Sequence, residues 1–121
     1  AKVKEIARVC NEANIPMRVG VNMGSIAPKY LEKYGMPTAE GLVESAIDHI
    51  KLLEALNFTD IVVAVKSSDV DMMIKANEII ADKISYPLHL GVTEAGPPPE
   101  GIVKSAIGIG ILLREGIGDT I

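Results

Sequence analysis

The sequence has no tryptophan, one phenylalanine and three tyrosines, so aromatic residues fill only 3% of its 121 positions. Its core must be built from Ile, Val, Leu, Ala and Met. A single cysteine, Cys10, excludes an internal disulfide and fits a reducing compartment. No apolar run is long enough to span a bilayer, and the opening AKVKEIARVC lacks the pattern of a secretory leader. Together these absences make the cytoplasm the expected location, with no membrane partner. Basic excess is absent too. Twelve Lys and Arg stand against sixteen Asp and Glu, for a net charge of −4, which argues against nucleic acid as the main partner.

What is present is globular: 48% hydrophobic, 23% charged, with a mean hydropathy of +0.27. That apolar content is enough to offset chain entropy and excludes disorder. The length suits one domain. Both ends read as interior sequence. The chain opens in helical period without a cap, and it stops at GDTI, where a Gly-Asp turn delivers the first residue of an apolar run. The expectation is a single partial domain over 1–121, part of a longer protein.

Three short β-type runs stand out, IPMRVGVN (15–22), DIVVAVK (60–66) and YPLHLGVT (86–93). Helical period fills the intervals. Residues 38–56 place Leu42, Val43, Ala46, Ile47, Ile50 and Leu53 on one stripe behind an N-cap at Thr38. A second helix follows Ser68, whose spacing to Asp71 resembles a capping box. A third starts near Pro99 and ends at Gly116, and a short one spans Pro28–Tyr34. Such alternation implies parallel strands joined by right-handed crossovers.

Two α/β architectures compete, a small doubly wound sheet and about half of a TIM (β/α)8 barrel. Helices cover both faces of a doubly wound sheet, so its strands should be apolar throughout. Here each strand has one aliphatic face and one face of small residues plus a basic or imidazole group. The second face carries Arg18, Gly20 and Asn22; then Val62, Ala64 and Lys66; then His89, Gly91 and Thr93. Alternation of this kind favours the barrel, whose lumen gathers polar groups toward the C-terminal rim. Half a barrel has unpaired strand edges, so self-association is expected.

Under that reading Arg18, Asn22, Lys66 and Glu94 reach one rim. A guanidinium and an ammonium facing one cavity suit a phosphate or diphosphate, with added donors expected from Gly24-Ser25, Ser67-Ser68 and the helix N-terminus after Ser68. The plainer alternative pairs Arg18 and Lys66 with Glu94 or Asp119 in structural ion pairs. Glu94 is the general acid–base candidate, as a partly buried rim carboxylate. His89 stands between a hydrogen-bonded core residue and a catalyst. His49 reads as surface. IGIGI (107–111, with Gly108 and Gly110) lies within a helix and reads as close packing, not as a phosphate loop. Asp69 and Asp71 lack calcium-loop spacing, so no metal site is assigned.

Four segments, RVGVNMGS, VAVKSSD, LHLGVTEAG and VKSAIGIGILLREGIGDTI, occur in one order across the whole chain. Their order and spacing resemble the 4-hydroxy-3-methylbut-2-enyl diphosphate synthases, the GcpE/IspG family of isoprenoid biosynthesis by the methylerythritol phosphate route. The resemblance implies the C-terminal part of a TIM-type barrel, with a C-terminal iron-sulfur domain absent from this chain. It implies an oxidoreductase that opens and dehydrates 2-C-methyl-D-erythritol 2,4-cyclodiphosphate. That enzyme is a homodimer with a 4Fe-4S cluster, fed by flavodoxin or ferredoxin. Matched motif by motif, Arg18, Asn22 and Lys66 take substrate-binding positions, while Glu94 and His89 take the catalytic positions of the HLGxTEAG segment. Two further family arginines would lie upstream of residue 1, and a serine-bearing strand would continue past Thr120. Cys10 matches no cluster ligand, so 1–121 alone is expected to be inactive. A cluster-free phosphate-handling barrel, akin to dihydropteroate synthase, and a non-catalytic core are the rival readings.

Overall fold

The computed structural model describes residues 2–121. Helix α1 (Lys2–Ala13) leads into strand β1 (Met17–Val21), a 3-10 turn (Met23–Ser25) and helices α2 (Pro28–Tyr34) and α3 (Ala39–Glu54). Strand β2 (Ile61–Val65) and helices α4 (Val70–Ala81) and α5 (Glu100–Arg114) complete the named elements. The local signals explain most boundaries. The Gly41 N–H donates to Thr38 Oγ1 at 3.0 Å, capping α3 as expected. Gly35, at φ 73°, closes α2, and Gly116, at φ 79°, follows α5. One cap differs from expectation: Asp69, not Ser68, starts α4, its carboxylate accepting from the Met72 N–H at 2.8 Å. The Ser67 hydroxyl instead accepts from the Asp69 N–H at 3.0 Å and sets that turn.

β1 and β2 are parallel, with Met17 opposite Ile61 and Val21 opposite Val65. Beyond β2, Val63 bridges to Leu88 and Ser67 to Val92, and His89 bridges to Thr120, all parallel. The extended segments therefore lie side by side in sequence order. Helix α3 packs on β1 and β2, α4 on α3, and α5 on α4. Neighbouring strands joined by helices in one continuous layer form a partial α/β barrel, not a doubly wound sheet with helices on two faces. The third run departs from expectation in one respect. Residues 86–93 do not form an unbroken strand, because the pairing between Val65 and Leu90 is missing.

Alternation decides what is buried. Val19 and Val21, then Ile61, Val63 and Val65, then Leu88 and Leu90 face the helices and are buried. Against them pack Leu42, Ala46, Ile50 and Leu53 of α3, Met73 and Ile80 of α4, and Leu112 of α5. Burying such side chains contributes roughly 1.5–3 kcal/mol each before chain entropy is counted. Gly108 is a contact glycine: a Cβ there would lie 2.5 Å from Met73 Cε and 3.2 Å from Val92. Gly110 has open space beside it, so close packing explains only one of the two glycines of IGIGI. Ile6 and Val9 of α1, and Ile102, Ile107 and Leu113 of α5, stay exposed.

Candidate anion-binding site

The other face of the strands carries the chemistry. Arg18 and Gly20 of β1 are exposed while their neighbours Val19 and Val21 are buried, as period-2 geometry requires. With Asn22, Ala64, Lys66 and Thr93 they line a cleft of about 240 Å³. Small residues make its floor. A Cβ at Gly91 would come within 2.8 Å of Lys66 Nζ and 3.1 Å of its Cε, so the lysine lies flat across that glycine.

Among the described residues no ion pair involves Arg18 or Lys66. The pairing alternative therefore fails. Asp119 is otherwise engaged, accepting from the Leu88 N–H at 2.8 Å. Burial, and then the nearby Arg18 charge, pushes the Lys66 ammonium below its ordinary range. His89 is also held below 6.5, first by burial and then by the charges of Lys66 and Arg18. These three residues thus share one positive field. The His89 ring Nδ1 lies 2.6 Å from Thr120 Oγ1, and its backbone N–H donates to the Val63 carbonyl at 2.8 Å.

The auxiliary donors expected from the loops are occupied. Asn22 Oδ1 accepts from the Gly24 N–H at 3.0 Å, and the Asn22 N–H donates to Ser25 Oγ at 2.9 Å. Ser67 donates to Met23 Sδ at 2.8 Å, tying the loop after β1 to the loop after β2. At α4 the first-turn donors face a carboxylate cap. Anion binding here thus falls to the two cations and to the Asn22 NH2, which has no hydrogen-bond partner among the described residues.

Glu94 does not line this cleft. The chain leaves the strand at Glu94 through a left-handed turn, φ 52°, and the residue is exposed, which corrects the partly buried carboxylate expected there. His49 is exposed, as expected. Two polar residues were not singled out as site residues. Thr93 lines the cleft with its Oγ1 buried and without a partner; its place two residues after Gly91 on the lumen face was the available signal. Asn77 is fully buried in α4, behind β2. No group of three or more His, Cys, Asp or Glu gathers among the described residues in a way that would hold a metal ion. Cys10 sits half-buried on α1, so the residues present do not fit an iron-sulfur cluster. No described helix is long and apolar enough to cross a membrane.

Comparison with known proteins adds lineage to this geometry. A family model described as the GcpE TIM-barrel domain matches residues 1–121. The chain is 57% identical over 120 residues to a 4-hydroxy-3-methylbut-2-en-1-yl diphosphate synthase (flavodoxin) of Symbiobacterium thermophilum, covering 99% of this chain and 32% of that relative. It is 58% identical over 120 residues to the synthase of the same description from Clostridium perfringens, covering 99% and 34%. The corresponding figures for Fusobacterium nucleatum are 57% over 119 residues, covering 98% and 34%. The chain thus spans about a third of the length of the curated relatives it matches.

Proposed function

The chain belongs to the GcpE TIM-barrel family, and on that premise we propose that it forms part of the substrate wall of a 4-hydroxy-3-methylbut-2-enyl diphosphate synthase. Residues 1–121 are then a single partial domain, the C-terminal part of the barrel. The substrate is 2-C-methyl-D-erythritol 2,4-cyclodiphosphate, which the whole enzyme opens reductively with loss of water. The observation that carries this reading is the pair of unpaired cations, Arg18 and Lys66, facing one cleft from adjacent parallel strands.

The division of labour follows from charge. A cyclic diphosphate needs fixed cations, with the Arg18 fork meeting two oxygens and Lys66 acting as a point charge. The free NH2 of Asn22 adds a neutral donor at the same rim. His89, held neutral beside two cations, offers a ring nitrogen and no third charge. Loss of the hydroxyl needs a proton, and Glu94, exposed just beyond Thr93 and outside the cleft lining, is the proposed source. A 4Fe-4S cluster, which the resemblance assigns to the whole enzyme, would supply the electrons. Its ligands are assigned outside 1–121, because the residues here do not fit it. Flavodoxin or ferredoxin as donor, a homodimer and a cytoplasmic setting complete the proposal, and 1–121 alone is assigned no turnover.

Glu94→Gln in the full-length enzyme tests the acid. Turnover should fall by roughly 10²-fold, the general acid–base scale, with substrate affinity retained in calorimetric titration. Unchanged turnover removes Glu94 from the mechanism.

A further inference from the structure

Asn77 is out of place by ordinary rules. A primary amide lies fully buried in a helix face otherwise made of Met73, Ala76 and Ile80, and its Oδ1 has no partner. Burying such a group costs free energy unless it is used. Its Nδ2 makes two backbone bonds, besides a contact with Met73 Sδ at 3.4 Å. It donates to the Met73 carbonyl at 2.8 Å, within its own helix, and to the Val65 carbonyl at 3.0 Å, in strand β2.

The second bond lies at the gap in the sheet. A regular parallel ladder between β2 and the third run has a rung every second residue. The His89 N–H donates to the Val63 carbonyl at 2.8 Å, and the Thr93 N–H donates to the Ser67 carbonyl at 3.0 Å. The rung between them should join the Gly91 N–H to the Val65 carbonyl. It is absent, as are the bonds from the Val65 N–H to the His89 carbonyl and from the Ser67 N–H to the Gly91 carbonyl on the same seam, and the Val65 carbonyl accepts from Asn77 instead. The register on either side of the gap is unchanged, so no residue has been inserted. One acceptor has been diverted to the helix layer.

The peptide so diverted joins Val65 to Lys66. Lys66 is the side chain that lies across Gly91, the residue whose N–H lost its rung. We infer that Asn77 is a positioning residue for the anion site: by drawing the Val65 carbonyl toward α4 it opens the seam between the second and third strands and sets Lys66 across Gly91 into the cleft. The inference rests on the proposed role of Lys66 as a phosphate-holding cation, while the diversion of the rung stands apart from that role.

Amide hydrogen exchange on the full chain tests it. In the unaltered protein the Gly91 amide should exchange at least roughly tenfold faster than those of His89 and Thr93, the scale set by one backbone hydrogen bond. Asn77→Leu removes the competing donor while keeping similar volume, so the Gly91 amide should slow toward its neighbours. Pyrophosphate affinity by calorimetry should weaken about fivefold to tenfold in the same variant, at the scale of one displaced polar contact. Equal protection of the three amides in the unaltered protein overturns the inference, and that measurement needs no variant to fold. A Gly91 amide unmoved by Asn77→Leu overturns it as well, and so does a slowed Gly91 with undiminished pyrophosphate affinity. Lys66→Ala is the separate control. If it leaves pyrophosphate binding intact, the assignment of the anion site fails, whatever the exchange rates show.

Discussion

At the scale of single residues, the field around the cleft makes sharp demands. The folded pKa of His89 lies below 6.5, so the unfolded chain binds more protons than the native one just under that pH. The stability contributed by His89 is complete above about 6.5 and declines as pH falls through the window down to its folded value. A bound diphosphate offsets the repulsion of Lys66 and Arg18, so it should raise the His89 pKa. Proton NMR of the ring, titrated with and without pyrophosphate, should show that upward shift; an unmoved midpoint places the ligand outside the reach of His89. Lys66→Ala should weaken diphosphate binding by roughly tenfold to a hundredfold, the range of one charge-assisted contact, read by calorimetry. That Arg18, Asn22 and Lys66 share one cleft was legible in the sequence because alternation along a strand fixes which side chains share a face. The exposure of Glu94 was not, since it depends on a left-handed turn beyond the last paired residue. Asn77 was missed because helical period marks a face but says nothing of an amide hidden within it.

At the scale of elements, caps and glycines set the joints. The helices were readable from their apolar stripes, and Thr38 and Gly116 bound theirs as expected. The start of α4 moved one residue because Ser67 and Asp69 divide the capping work between them. The third strand read as continuous, since its apolar alternation carries no sign of a competing donor on another element. Two glycines of α5 should behave oppositely. At Gly101 a Cβ would stand 2.0 Å from the Gly96 carbonyl oxygen, a backbone atom that cannot swing aside. Gly101→Ala should therefore cost about 3 kcal/mol, the upper end of overpacking. Gly110 has nothing within 4 Å of such a Cβ, so Gly110→Ala should gain up to about 1 kcal/mol from helix propensity. Urea unfolding of both variants checks the pair, and equal effects would show that α5 does not dock through its first turn.

At the scale of the whole molecule, the barrel was legible because three strands each showed one aliphatic and one polar face. What the pattern could not show is how much apolar surface the helix layer leaves uncovered. Ile6 and Val9 of α1, with Ile102, Ile107 and Leu113 of α5, face solvent. Chain 1–121 in isolation should therefore self-associate at micromolar concentration, and Ile102→Glu with Leu113→Glu should reduce it; a monodisperse monomer in light scattering would contradict this. The parallel sheet carries a kinetic consequence as well. Met17 meets Ile61, Val63 meets Leu88 and His89 meets Thr120, and each pairing closes a loop containing at least one whole helix. No hairpin exists among the described residues to seed the sheet. Loop closure must come before any ladder bond repays it, so helical signal should rise well ahead of protection at the strand amides in stopped-flow refolding, with the Leu88–Asp119 seam among the last to lock.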